Sequence, residues 1–236
     1  MILSHDEQRK KWDKEHAEPY ALKQMDARKV SSSIPPFFKF LRSQKLSKLS
    51  GIEMGCGKGR NVIWCAGQPE VTKMTGFDFS SVAIEEAEKR AHEAGVSEKT
   101  RFSVMDATMR WKFADASFDF GMDCTASVDI ESLEGRRFAV SEMRRVLKPG
   151  GYLLVYAMST EDEYHKEMMQ HSAAEEKHAF YHPDTGKFEK VFDESELDEM
   201  YANFELVEAR RMNKKSVFFG KEYASNMHWR LYRRPL

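Results

Sequence analysis

Glu53, Asp78, Asp106 and Asp123 each stand at or near the end of a short apolar run, and Glu53 leads directly into Gly55-Cys56-Gly57-Lys58-Gly59. A glycine turn between a strand and a helix lets a ligand approach the backbone closely. It also presents helix N-terminal N–H groups, which suit an anionic group. Asp78 lies 19 residues beyond Gly59 and is placed to accept hydrogen bonds from a ribose diol. Asp106, one strand further out, can accept from an exocyclic amine. Together these carboxylates predict a site for an adenosine-type ligand with an anionic head.

Such a site needs a parallel sheet, and the sequence from about residue 49 supplies the pattern for one: short apolar strands alternating with amphipathic helices. Strands are expected at Leu49–Met54, Val71–Phe79, Arg101–Met105, Phe118–Met122 and Tyr152–Ala157. A helix follows the glycine turn through Asn61 to Ala66. Ser80 or Ser81 can cap the next, whose Ala83, Ala87, Ala91 and Ala94 recur at helical spacing before Gly95. A third runs through Leu133, Val140, Met143 and Leu147, and Lys148-Pro149-Gly150-Gly151 ends it. In an open sheet of this kind ligands bind at the carboxyl ends of the strands, where strand order reverses.

The segment Glu53-Met54-Gly55-Cys56-Gly57-Lys58-Gly59-Arg60-Asn61 resembles the first motif of class I S-adenosylmethionine-dependent methyltransferases, written (D/E)-x-G-x-G-x-G. Gly76-Phe77-Asp78-Phe79-Ser80 is similar to that family's second motif, and Asp106-Ala107 to its adenine-contacting acidic position. Phe118 to Asp123 resembles its fourth strand, and Arg145 to Gly151 the segment before its fifth. The resemblance covers about residues 48–158. It implies an α/β, doubly wound, mostly parallel seven-stranded Rossmann-like sheet with an antiparallel closing strand and helices on both faces. A nicotinamide dehydrogenase is the nearest rival, but its fingerprint places the third glycine one residue later. An anionic Glu53 also sits poorly beside a pyrophosphate, and well beside a sulfonium and an amino group.

The resemblance further implies S-adenosylmethionine as cofactor, S-adenosylhomocysteine as product, and in-line transfer of a methyl group. The backbone at Gly55, Gly57 and Gly59 then contacts the methionine moiety, with Glu53 near its amino group and Cys56 and Asn61 also at the cofactor. Asp78 holds the ribose hydroxyls, with Phe79 against the adenine face, and Asp106 and Ala107 bind the adenine edge. Asp123, Cys124 and Thr125 leave the fourth strand beside the methyl-transfer point and face cofactor and acceptor together. They are the candidates for a catalytic role, although a buried structural thiol is the commoner state for a cysteine such as Cys124.

The chain has 236 residues, with 37 Lys and Arg against 38 Asp and Glu, a net charge of −1. That balance excludes binding of nucleic acid or anionic lipid mainly through bulk charge. Three cysteines make neither a disulfide framework nor a zinc signature, and no metal is expected. The first residues are charged where a signal peptide needs an apolar run, and no stretch reaches membrane-spanning length, so a cytoplasmic protein with no membrane partner is expected. One domain is expected, read as a helical arm (1–47), a cofactor-binding core (48–159), a lid or substrate insertion (160–190) and a closing helix with two strands (191–236).

Several features surround this core. Ser31-Ser32-Ser33-Ile34-Pro35-Pro36 should break the arm ahead of a short helix carrying Phe37, Phe38, Phe40 and Leu41. Trp12 and Tyr20 can cover the cofactor or anchor the arm. The insertion carries His165, His171, His178 and His182 with Glu175 and Glu176, and reads as a solvated polar lid rather than a metal site. Asp193, Glu196, Phe192 and Leu197 spell a helix start. Strands at Phe204–Met212 and Met227–Tyr232 pair around Gly220. Their Arg210, Arg211, Lys214 and Lys215, with Arg230, Arg233 and Arg234, can form one basic face, though a charged sheet edge is the plainer reading. The expected acceptor is a small molecule. An RNA or protein acceptor, and a non-catalytic cofactor-binding subunit, are the alternatives. Oligomeric state is not legible.

Overall fold

A computed structural model of the chain describes residues 4–20, 22 and 28–236. The expected arm also includes residues 1–3, 21 and 23–27, which lie outside the described residues. The centre of the fold is β1 (Leu49–Met54), paired in parallel with β2 (Val71–Asp78) on one side and β4 (Phe118–Cys124) on the other. Beyond β2 lies β3 (Thr100–Val104), and beyond β4 lies β5 (Leu147–Met158). The long hairpin of β8 (Glu205–Phe218) and β9 (Lys221–Arg233) completes the sheet, with β9 antiparallel to β5. The order is therefore β3-β2-β1-β4-β5-β9-β8 over seven strands, and strand order reverses at β1 and β4.

Side chains alternate across each strand, and two cores result. Leu154 and Tyr156 join Phe120 and Met122 on one face, while Leu153, Val155 and Ala157 join Ile52 and Met54 on the other. The first face is covered by α2 (Ile34–Ser43), α3 (Arg60–Ala66) and α4 (Ser81–Glu93). The second is covered by α5 (Leu133–Val146) and α7 (Glu194–Met200). Each fully buried Phe or Leu contributes on the order of 1.5–3 kcal/mol, so the apolar face of α2 alone, with Phe37, Phe38 and Leu41, fixes that helix to the sheet.

Three boundaries differ from expectation, each for a physical reason. Pro35 and Pro36 do not precede α2 but lie in its first turn, where N–H groups have no helical partner to lose. β5 begins at Leu147, paired with Phe118, because the strand irregularity near Asp119 accommodates the Pro149-Gly150-Gly151 stretch. The closing strands run to Phe218 and from Lys221, joined by a two-residue turn with φ 50° at Phe219 and 81° at Gly220, the conformation that matches hairpin twist.

The 160–190 stretch is packed on one side rather than solvated throughout. It forms α6 (Glu163–Ser172) and a hairpin of β6 (Ala179–Tyr181) with β7 (Phe188–Lys190). Phe180, Phe188, His182, Lys187 and Lys190 are buried. α1 (His5–Ala17) starts at a capping box in which Ser4 and Glu7 exchange hydrogen bonds. Asp193 and Glu196 do the same for α7, as expected. Among the described residues, no helix is long and apolar enough to cross a membrane.

Candidate functional site

The carboxyl ends of β1, β2, β3 and β4 surround a cavity of about 310 Å³. Register sets this: Met54 lies beside Phe77 of β2 and Asp123 of β4, so the glycine turn and the Asp78 turn emerge together. Gly55 has φ 60°, and a Cβ there would stand 2.4 Å from the Cβ of Ala126, so the turn after β4 closes directly onto the glycine turn. Gly57, with φ 51°, donates its N–H to Asp78 Oδ2 at 2.8 Å. The other Asp78 oxygen accepts from Ser80 N–H at 2.9 Å. Burial raises the Asp78 pKa, against those N–H groups, which favour the anion. Each oxygen keeps a further lone pair for a ligand hydroxyl.

Glu53 is 2% exposed. Its Oε1 accepts from Asn61 Nδ2 at 2.7 Å, while Oε2 is buried without a hydrogen-bond partner among the described residues. Burial pushes its pKa up to about 8, opposed by Asn61 and Arg60 and reinforced by Asp78 and Asp123. Asn61 in turn accepts from Ser31 N–H at 2.9 Å, so the segment before α2 is tied to the glycine turn. A half-satisfied buried carboxylate of this kind is matched by a cationic ligand group.

Asp106, Ala107 and Phe79 line the same cavity. Asp106 Oδ1 accepts from the N–H and hydroxyl of Thr108 at 2.8 and 2.7 Å, and its Oδ2 lies 2.7 Å from His5 Nδ1 in the arm. Cys56, Cys124 and Thr125 also reach it. Burial pushes both thiols well above the ordinary cysteine range, which keeps them protonated and inert. The structure therefore brings together Glu53, Gly55, Cys56, Gly57, Asn61, Asp78, Phe79, Asp106, Ala107, Cys124 and Thr125.

Two expected residues stand elsewhere. Gly59 (φ 77°) is the N-cap of α3, and a Cβ there would meet Ala87 and Phe102 at 3.0–3.1 Å, so it serves helix-to-sheet packing. Asp123 does not line the cavity. Its Oδ1 accepts from Ala126 and Ser127 N–H, both at 3.1 Å, and its Oδ2 from the Tyr201 hydroxyl at 2.9 Å. Asp123 thus shapes the turn that lines the cavity. Tyr201→Phe is expected to lower stability by about 1.5–3 kcal/mol, the contribution of a hydrogen bond to a charged group, while ligand affinity stays within about twofold. Denaturant unfolding and calorimetry on one preparation check both halves.

The arm supplies what sequence reasoning left open. Trp12 and His16 line the cavity, as do His5 and Gln8. Burial holds His16 near a pKa of about 4, helped by Lys58 and Lys187. Tyr20 lies outside, against Phe219 and His182. Trp12 thus lines the cavity, while Tyr20 packs outside it. Spacing within the arm did not distinguish the two, because the difference is set by partners far along the chain.

The basic residues of β8 and β9 do not form one face. Arg230 is 4% exposed and pairs with Asp198, Arg211 pairs with Glu194, and Arg234 donates to the Leu147 carbonyl. Arg210 instead stacks over Trp229 on the opposite side from Arg211. His178 and His182 flank β6 and have separate partners: His182 meets the Tyr164 hydroxyl at 3.0 Å, and His178 meets Glu196 at 3.1 Å. The His178, Asp193 and Glu196 ligand atoms lie within 4.8 Å of one another, but Lys190 Nζ stands 2.8 Å from Glu196 and Lys177 Nζ 3.5 Å from Asp193. Ammonium groups there already supply positive charge.

Residues 52–151 match the methyltransferase domain family. The sterol 24-C-methyltransferase ERG6B of Gibberella zeae is 35% identical over 116 residues, which are 48% of this chain and 28% of that protein. The chain thus spans less than a third of that relative's length. A SAM-dependent methyltransferase from Methanosarcina mazei has the same fold, with a TM-score of 0.73 and 24% identity over 86% of this chain and 98% of that one. So does the Burkholderia thailandensis 1,6-didemethyltoxoflavin-N1-methyltransferase, solved with bound 1,6-didemethyltoxoflavin and S-adenosylhomocysteine. It gives a TM-score of 0.68 and 15% identity over 100% of this chain and 92% of that one.

Proposed function

We propose that this chain, whose residues 52–151 carry the class I S-adenosylmethionine-dependent methyltransferase core, binds that cofactor in the strand-end cavity and methylates a small-molecule acceptor. The observation that carries the reading is the buried, partnerless Glu53 Oε2 beside the glycine turn. A cationic methionine head is matched there, because its charge favours the ionised carboxylate, whereas a pyrophosphate offers no such compensation. The donor set fits the rest of such a ligand: Asp78 for the ribose diol, and Asp106 with Ala107 for the adenine edge.

When bound, the cofactor supplies an activated methyl group on a good leaving group. The protein's part is then position and exclusion of water. The Gly55–Gly57 backbone fits closely around the methionine moiety, and Glu53 neutralises its amino group. Asp78 fixes the ribose while holding Gly57 and Ser80 in place. Trp12 and His16 close the arm side.

The small-molecule acceptor is supported by this enclosure and by the engagement of Arg211, Arg230 and Arg234 with partners of their own chain. The sterol and toxoflavin methyltransferases are both named for small-molecule acceptors. The test combines titration calorimetry with S-adenosylmethionine and an electrophoretic shift with bulk tRNA at physiological salt. Saturable cofactor binding with no shift is expected. Tight, salt-sensitive tRNA binding would overturn the small-molecule reading, and absence of cofactor binding would overturn the whole.

A further inference from the structure

One acidic side chain in the cavity is not accounted for by cofactor binding. Asp129 lies in the turn after β4, and its N–H donates to the Ala126 carbonyl at 3.1 Å. Ala126 is the residue that closes onto Gly55, so Asp129 is joined through one turn of backbone to the methionine end of the site. Asp78, Asp106 and Asp123 all accept hydrogen bonds through both oxygens or hold an ion pair. Among the described residues, no N–H or O–H donates to the Asp129 carboxylate.

The surroundings are specific. Asp129 opens both onto the main cavity and onto a narrow crevice formed with Gln8, Lys11, Trp12, Glu131, Lys187 and Phe188. Glu131 is already occupied, accepting from Gln8 and from the Tyr181 hydroxyl. Lys187, 4% exposed, lays its ammonium 3.8 Å from the Trp12 ring centre and attracts the Asp129 charge. Burial pushes the Asp129 pKa well above the ordinary carboxylate range; Lys187 opposes this, and Glu189, Asp78 and Asp123 add to it. A carboxylate so placed takes up a proton more readily than an ordinary one. The arm, the β6–β7 hairpin and the β4 turn thus converge on one free carboxylate at the cavity wall.

We infer that Asp129 faces the methyl-transfer point and takes the proton of an acceptor whose nucleophile is an N–H or O–H group. The inference rests on the methyltransferase reading above. In the step, the acceptor heteroatom forms its bond to the methyl carbon. The carbon–sulfur bond breaks with its electron pair passing to the sulfonium sulfur, and the proton of the heteroatom passes to an Asp129 oxygen. The acceptor class is an amine, ring N–H or hydroxyl compound rather than a carbon nucleophile.

The test needs no knowledge of the acceptor. Sinefungin carries an amine-bearing carbon in place of the sulfonium, so its N–H donors occupy the place of the transferred methyl. Calorimetry on the full chain is expected to show sinefungin binding at least tenfold more tightly than S-adenosylhomocysteine. In Asp129→Asn that preference should fall to within threefold, with S-adenosylhomocysteine affinity unchanged. An undiminished preference in the variant overturns the assignment. So does loss of S-adenosylhomocysteine affinity in both Asp129→Asn and Asp129→Ser, which makes Asp129 part of the cofactor hold. Failure of the unmodified chain to bind either ligand refutes the methyltransferase reading itself, and is seen before any substitution is made.

Discussion

Asp78→Ala is expected to weaken S-adenosylmethionine binding by about 2–3 kcal/mol, roughly 30- to 150-fold. Two effects add. The ribose diol loses a charged acceptor, and the N–H groups of Gly57 and Ser80 lose the carboxylate that holds the glycine turn against the start of α4. Asp78→Asn should recover little. Whichever end its amide nitrogen takes, that nitrogen faces an N–H donor. The fold itself should persist, because the residue sits at a strand end rather than in either core. Calorimetry checks the affinity, and circular dichroism confirms folding. Affinity within threefold of the unmodified chain would remove Asp78 from the ribose site.

Glu53 gives the second large effect, and its sign follows from burial. With its pKa raised to about 8 in the folded chain from an ordinary 4.5, the folded state holds a proton that the unfolded state releases between those values. Stability without ligand is therefore full below about pH 4.5 and falls as pH rises through 8, by roughly 3–5 kcal/mol in total. Glu53→Gln keeps an acceptor for Asn61 and should flatten that dependence. A cationic ligand reverses the preference, because Glu53 ionises beside it. Cofactor binding at pH 7 should then release about one proton per site, seen as a dependence of calorimetric heat on buffer ionisation enthalpy. The Gln variant should release none from this position. An absence of proton release in the unmodified chain would mean that Glu53 does not meet the cationic head.

Most of the site was legible because its elements are local. The strand limits of β1 follow from six residues, and the turn chemistry of Gly55 to Gly59 is written in consecutive positions. Ser80 and Asp193 were readable as caps, since a cap and its N–H partner lie three residues apart. Asp123 was misplaced for the complementary reason. It ends its strand as Asp78 does, but its oxygens meet Tyr201, 78 residues later in the chain, and the turn it shapes. The 160–190 stretch was likewise read from its polar composition. Its His165, His182, Lys187 and Lys190 are buried against carboxylates and rings that sequence order does not reveal.

The sequence by itself determined the sheet, its parallel core, the glycine turn and the acidic strand ends, because hydrophobic period and turn geometry act over a few residues. It also determined the near-neutral balance of charge. Only the tertiary structure decided which carboxylates remain free. Asp106 is engaged by His5 from the arm, Asp123 by Tyr201, and Glu131 by Gln8 and Tyr181, whereas one Glu53 oxygen and the whole Asp129 carboxylate keep no protein donor among the described residues. Hydrogen-bond partners of buried groups come from wherever the fold brings a donor within about 3 Å, and such partners are rarely neighbours in sequence. The acidic residues look alike as letters; their unequal satisfaction separates residues that shape the cavity from residues that can act in it.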